Sequence, residues 1–411
     1  MNGSYFVVLA VALGTTLAFT PIVRRIAVRF GAVVEPSDDP RRVHSRPTAT
    51  LGGAAMFIGF LVAMAVASRL DGFADIFNPQ NSEPIGLLLG ATVMFVVGAL
   101  DDVIDVSPPA KVAGQVLAAG LLAMYGITMF YFRMPFNLFD TDTVVLGADW
   151  APLVTAVWVV LMTNAINLID GLDGLAAGIV VIGGSAMFLF ADQLSKANAL
   201  EPGNIGPLVC VIAVGVCLGF LPYNWNPSKI MMGDAGALFL GLLYAVPTIT
   251  IGGRTDQAFS GNTFFFFGPL LIPVFILGVP LVDTAFSFAR RVVRRQRWHE
   301  ADAGHLHHRL MRLGHGPRRT VVILWAWTAL LSGIALVPTY TNEGNALVPF
   351  AVAAAALLLF AWFHPGVRLR RERSERMRHP SARPSPGAAG AEGEAAADDV
   401  VVLEERRRRR A

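Results

Sequence analysis

The sequence predicts an all-α polytopic membrane protein with about eleven transmembrane helices, oriented N-out and C-in. Three observations predict it. Hydrophobic residues fill 54% of the 411 positions and charged residues only 15%, and the mean hydropathy is +0.54. The apolar residues gather into runs of membrane-spanning length. Basic residues crowd into alternate connections, the asymmetry that orients helices in a bilayer. Cys210 and Cys217 share one apolar run and read as small core residues, indicating neither a disulfide framework nor a zinc site. The net charge of +3, with arginines at membrane edges, points to anionic lipid or phosphate as partner and not to nucleic acid.

Taken in order, the spans read Tyr5–Val23, Leu51–Ser68, Ile85–Leu100, Val112–Met129, Pro152–Asn167, Leu175–Ala191, Ile205–Leu221, Ala235–Ile251, Phe264–Phe288, Thr320–Val337 and Ala346–Phe363. The first lacks a small-residue cleavage site and meets Pro21-Ile-Val-Arg-Arg25, so it reads as a retained span, not a signal peptide. With the N-terminus outside, the exterior loops hold only Arg69, Arg133, Lys196 and Arg254. The interior loops hold Arg24, Arg25, Arg29, Arg41, Arg42, Arg46, Lys111, Lys229 and the dense stretch from Arg290 to Arg319. Residues 1–363 form the membrane domain. Residues 364–411, Pro/Gly/Ala-rich and ending in five arginines, read as a disordered interior tail.

The interior connections carry the chemistry. The first ends Arg41-Arg42 and His44-Ser-Arg-Pro-Thr-Ala-Thr-Leu-Gly-Gly53. It reads either as a basic anchor with a turn, or as arginines for phosphates beside glycines that admit close backbone approach. The third span runs into Gly98-Ala-Leu-Asp-Asp102. Adjacent carboxylates at a membrane boundary are costly, and such residues are functional by default. Lys111 could neutralise them or hold a phosphate, and Gln115 lies one turn further along the same face. The fifth span ends Asn164-Ala-Ile-Asn-Leu-Ile-Asp-Gly-Leu-Asp-Gly174, four hard oxygen-bearing side chains at three-residue spacing, suited to Mg²⁺ and nucleotide groups. Gly171 and Gly174 let the chain leave helical geometry there.

The next interior turn brings Asn224, Asn226, Lys229 and Asp234, the last opening an apolar helix as either a dipole partner or a cation ligand. The ninth span, with Phe264–Phe267 and Pro269, Pro273 and Pro280, can bend to open a groove for a lipid chain and ends at Asp283. The longest interior loop carries His305-Leu-His-His-Arg-Leu310. Without nearby zinc-spaced partners, these histidines read as donors to an anion.

In this order, from Arg41 to Gly316, the motifs resemble the polyprenyl-phosphate N-acetylhexosamine-1-phosphate transferases, the polytopic WecA/TagO/MraY-type members of glycosyltransferase family 4. His-x-His-His-Arg-Leu at 305–310 looks like the WecA/TagO branch; the muramoyl-pentapeptide branch has three consecutive histidines followed by Phe-Glu. The resemblance implies transfer of a sugar 1-phosphate, N-acetylglucosamine 1-phosphate by the histidine pattern, from a UDP-sugar to polyprenyl phosphate with release of UMP. The cofactor implied is Mg²⁺, with Mn²⁺ as an alternative. It places Asn167 and Asp234 on the metal. Asp101, Asp102, Lys111, His305, His307 and His308 become catalytic. Arg46, Thr50, Asn164, Asp170, Asp173, Asn224 and Arg309 become substrate-binding. The enzyme is expected in the plasma (inner) membrane with its site facing the cytoplasm, and a homodimer is allowed. Met231, Ala235, Ala303 and Arg297-Trp-His299 depart from residues common in the family.

A phosphate monoester with a second pKa near 6 is mostly dianionic at neutral pH, so the acceptor needs no strong base. Asp101 and Asp102 are therefore expected to orient Lys111 and the acceptor more than to remove a proton. Two readings compete: phospho-N-acetylmuramoyl-pentapeptide transfer, and an ion-coupled transporter, which requires polar groups near the bilayer midplane and repeated halves.

Overall fold

In hydrocarbon a backbone amide has no water to bond, so apolar runs satisfy their hydrogen bonds internally as helices. The computed structural model describes residues 3–34, 47–133, 143–252, 254 and 316–341, with short pieces between 349 and 356. Nine helices are found among them: α1 (Gly3–Arg29), α2 (Gly53–Ala67), α3 (Glu83–Ile104), α4 (Pro108–Met124), α5 (Trp150–Ile169), α6 (Leu175–Lys196), α7 (Gly206–Asn224), α8 (Gly233–Pro247) and α9 (Pro317–Thr341). A turn of π-helix, Thr248–Gly252, extends α8. Six helices are long and apolar enough to cross a membrane: α1, α3, α5, α6, α7 and α8 with its π turn. The first eight expected spans and the tenth each coincide with a helix. The ninth, and most of the eleventh, lie outside the described residues, as does the tail.

Two small antiparallel ladders interrupt the helical expectation. β1 (Val33–Val34) pairs with β2 (Thr48–Ala49), and β3 (Tyr131–Arg133) pairs with β4 (Thr143–Val145). Ala49 also bridges Ile230 in parallel.

Burial sorts the helices. The span beginning at α8 is 94% buried, whereas those of α1 and α3 are 28% buried. Thus α8 is central, packed against α2, α3, α5 and α7, while α1 and α3 expose Phe6, Ile26, Leu89 and Val96 where lipid tails would lie. Lipid is as apolar as leucine, so helices associate through close packing of small residues. Gly59 of α2 lies against Thr16 of α1, and Gly215 and Gly219 of α7 lie against Ala12 and Leu13. Between α2, α3 and α8 the fit is aromatic: Phe57 stacks on Phe95 at 4.4 Å, and both Phe57 and Phe60 meet Phe239 edge-on.

Successive helices from α1 to α8 run in alternating directions, so one end of the bundle collects the C-terminus of α3, the N-terminus of α4, the C-terminus of α5 and the N-terminus of α8. Side-chain bonds join all four there. That end holds the site.

Candidate active site

The start of α8 is the assembly point. Gly233 takes φ +69°, a conformation that favours glycine. A Cβ there would strike the Asp102 carboxylate. Asp102 stands in the last turn of α3, where the helix dipole disfavours an acid. Its two oxygens accept from the first amides of α8: Asp234 N–H at 2.8 Å and Ala235 N–H at 3.1 Å. Asp102 therefore caps the neighbouring helix. Gly98, one turn earlier on α3, lies so close to the Asp234 carbonyl that no side chain fits between them.

Asp101 faces the other way. Its Oδ1 accepts from Val106 N–H at 2.9 Å, closing the turn after α3, in which Asp105 adopts φ +55°. Its Oδ2 accepts from Lys111 Nζ at 2.7 Å. Prolines 108 and 109 start α4, with the preceding Ser107 extended, and so fix where Lys111 enters. The same ammonium bonds Asp234 Oδ2, which also accepts from Asn167 Nδ2 at 3.0 Å. Four segments thus meet through Asp101, Lys111, Asp234 and Asn167, with Asp102 fastening the frame.

The remaining candidates divide. Asp170 follows the last residue of α5. Desolvation, and then the negative charges of Asp234, Asp102 and Asp173, hold its carboxyl well above the ordinary carboxylate range. Asp173 Oδ2 accepts from Asn226 Nδ2 at 2.8 Å and Ser228 N–H at 3.1 Å, tying down the turn after α7. Asn224 is buried with both ends of its amide engaged: Gly174 N–H donates to it at 2.9 Å, and it donates to the Ile230 carbonyl at 3.1 Å. Asp173 and Asn224, expected on the nucleotide, thus tie the turn after α5 to the turn after α7. Asn164 donates to Gln115 Oε1 at 2.8 Å and to the Val160 carbonyl at 2.7 Å. Thr50 is buried, its N–H bonded to the Ala32 carbonyl. Arg46, His305, His307, His308 and Arg309 lie outside the described residues.

The glycines at 52 and 53, read either as part of a turn or as a place for a phosphate to approach, lie against another stretch of chain. Their N–H groups donate to the carbonyls of Met231 and Met232 at 3.0 and 2.9 Å, and a Cβ on Gly53 would collide with the backbone of Gly236. Arg24 and Arg318 clamp the same turn from outside, bonding the carbonyls of Lys229 and Asn226. The sequence carried no signal for these loop contacts, which span up to about two hundred residues of separation.

Chemically the site is a shelf of hard oxygens. Among the described residues no three acidic, histidine or cysteine side chains form a complete metal cage. Yet among the described residues Asp101 and Asp234 share the Lys111 ammonium, while Asp102 and Asp170 lie beside Asp234. Such an excess of negative charge favours a multivalent cation, and a Mg²⁺ ion takes one or two carboxylates and completes its shell with water and substrate phosphates. The amide and carboxylate oxygens of Asn167 and Asp234 fit that requirement.

Comparison with known proteins agrees in chemistry. The family model described as Glycosyl transferase family 4 matches residues 84–252. A probable undecaprenyl-phosphate N-acetylglucosaminyl 1-phosphate transferase of Bacillus subtilis is 38% identical over 315 residues, 77% of this chain and 79% of the relative. A decaprenyl-phosphate N-acetylglucosaminephosphotransferase of Mycobacterium tuberculosis is 35% identical over 79% of this chain and 80% of its own. A phospho-N-acetylmuramoyl-pentapeptide-transferase of Staphylococcus haemolyticus is more distant, at 28% over 80% of this chain and 97% of its own.

Proposed function

The chain belongs to glycosyl transferase family 4, on the side of the prenyl-phosphate N-acetylglucosamine-1-phosphate transferases, and from that premise we propose that it transfers N-acetylglucosamine 1-phosphate from a UDP-sugar to a polyprenyl phosphate. The products are UMP and a polyprenyl-diphosphate sugar, the first membrane step of an envelope polysaccharide. The observation that carries this reading is the meeting of Asp101, Lys111, Asn167 and Asp234 at one end of an apolar bundle.

An oxygen of the lipid phosphate forms a bond to the sugar-linked phosphorus, and the bond from that phosphorus to the bridging oxygen breaks, its electron pair leaving with UMP. The nucleophile is already dianionic near neutral pH, so no residue need abstract a proton. Positioning and charge neutralisation then carry the catalysis. Lys111, held by Asp101 and Asp234, presents a fixed positive charge to the phosphates. Asp102 keeps the first turn of α8 in place and so aims Asp234. Asn167 and Asp234 would hold Mg²⁺ (or Mn²⁺), which when bound neutralises the donor diphosphate and favours in-line attack. His305, His307, His308, Arg309 and Arg46 are assigned to the phosphates, Thr50, Asn164, Asp170 and Asp173 to the donor pocket's wall. Asn224 holds the turn beside it.

The end carrying the site is assigned to the cytoplasm, in a plasma (inner) membrane protein with about eleven spans. Arg24, Arg25, Arg29, Lys111, Lys229, Arg318 and Arg319 supply a positive-inside bias at that end, against Arg69, Arg133, Lys196 and Arg254 at the other. The membrane domain runs to about residue 363 and the remaining segment is its cytoplasmic tail. Acids at helix ends, away from the midplane, favour this over ion-coupled transport.

Detergent-solubilised full-length protein tests the proposal. It is expected to release UMP from UDP-N-acetylglucosamine only when polyprenyl phosphate and a divalent cation are both present. A panel including UDP-N-acetylmuramoyl-pentapeptide separates the two donor readings, and no UMP from any donor would refute transfer.

A further inference from the structure

We propose that Gln115 is a positioning residue for this site, setting Asn164 and through it the separation of Lys111 and Asn167 across Asp234. The kinetic part rests on the transferase reading; the geometric part does not.

Helices α4 and α5 run antiparallel beside each other and leave the acid cluster side by side. Four residues along α4 from Lys111 stands Gln115; three residues back along α5 from Asn167 stands Asn164. At about 1.5 Å per residue the two steps lead about 6 Å and about 4.5 Å away from the cluster. The two helices are therefore joined by two polar rungs. The outer rung is Lys111, Asp234 and Asn167. The inner rung is Gln115 and Asn164, with Asn164 Nδ2 donating to Gln115 Oε1 at 2.8 Å. That Nδ2 also donates to the Val160 carbonyl at 2.7 Å, which fixes the amide on its own helix.

Gln115 is a costly choice for this place. It is fully buried, and its Nε2 has no hydrogen-bond partner among the described residues. A buried amide nitrogen without an acceptor destabilises the fold, and a methionine of similar shape would avoid that penalty. A position kept polar at a stability cost, one turn from the reacting groups, fits a role in aiming them. On α5 the amide that Gln115 holds lies one turn from Asn167, so a shift of the α4–α5 seam moves both bonds to Asp234.

The test uses full-length protein in detergent and acylation of lysines by a small anhydride, read by mass spectrometry with the exposed Lys229 as internal reference. In Gln115→Met, Lys111 is expected to label several-fold faster relative to Lys229. UMP release by the same variant should fall about tenfold in kcat, with KM for both substrates within about twofold. Asn164→Ala should reproduce the labelling change, and the double variant should label Lys111 no faster than either single one, because the pair acts as a unit. Gln115→Glu keeps an acceptor for Asn164 and should label like the wild type. Unchanged Lys111 labelling in folded Gln115→Met, or single effects that multiply, would overturn the proposal. Should Gln115→Met fail to fold, Asn164→Ala against Gln115→Glu decides by the same labelling. A wild type without UMP release would refute the transferase reading, while the labelling ratio would still decide the role of Gln115.

Discussion

At the end of the bundle away from the acids, Arg254 lies with its side chain only 8% exposed, between the start of α3 and the end of α4. It bonds Glu83 at 2.5 Å and the carbonyls of Gly126 and Thr128, and its guanidinium sits 5.7 Å from the centre of the Phe130 ring. At the other end of the same helices, Asp101 and Asp234 share Lys111, and Asp102 and Asp170 stand beside Asp234. The arginine end has one buried cation bonded to Glu83, with the more exposed Glu201 at 4.0 Å, and surrounded by acceptors, an arrangement that holds helices together. Among the described residues the acid end gathers more carboxylates than ammonium groups, a surplus that a bound cation would relieve. One end serves stability and the other is suited to a cationic ligand.

Substitutions at the two ends should therefore separate turnover from stability. Asp234→Asn should lower UMP release about 10²–10³-fold, with no fall in unfolding temperature, since it removes one of the crowded charges. A large fall in unfolding temperature would show that the acid end is structural after all. Arg254→Met should do the reverse. It strands Glu83 and is expected to cost about 3 kcal/mol of stability by thermal or denaturant unfolding in detergent, while turnover of the protein that remains folded changes by less than about threefold. Gly53→Ala introduces a methyl group against the Gly236 backbone. It should cost about 1–3 kcal/mol and, by tilting α8, reduce turnover as well, showing that the comparison has an intermediate class.

The smallest effect concerns pH. The folded carboxyl of Asp170 is raised above its unfolded value, so the folded state binds the extra proton between the two. Stability from this group is then present below the unfolded pKa, about 3.9, and is lost as pH rises through the folded one. Without divalent cation, Asp170→Asn should flatten the decline of unfolding temperature with pH; with Mg²⁺ present the two proteins should converge. An unchanged slope would remove Asp170 from the charge surplus.

The division between the ends was only half legible in the sequence. Hydropathy placed α1 to α9 because membrane helices announce themselves by local composition, and Asp101, Lys111, Asn167 and Asp234 stood out as polar residues next to lipid. The partners of those residues did not stand out. That Asp102 caps α8, that Asp173 and Asn224 pin the turn after α7, and that Gly52 and Gly53 face Met231 and Met232 depend on contacts between distant segments, for which no local period exists. Arg254 read as a stray exterior charge for the same reason: its value lies in Glu83 and Gly126, far away in the chain. Gln115 was visible as a neighbour of Lys111, but its tie to Asn164 required the antiparallel pairing of α4 and α5.

Gly53 and Gly98 let main-chain atoms of α2 and α3 touch the first turn of α8 directly, and the Asp102 carboxylate bonds that turn from α3 as well, so Asp234 is coupled closely to both helices. The outer flank of α3 exposes Leu89, Val96 and Leu100, and a helix facing hydrocarbon of unmatched thickness accommodates by tilting. A tilt of α3 would be passed to the acids through these contacts. Reconstitution into bilayers of graded acyl length should consequently retune turnover at fixed substrate, making membrane thickness itself a control on how fast the glycolipid is made.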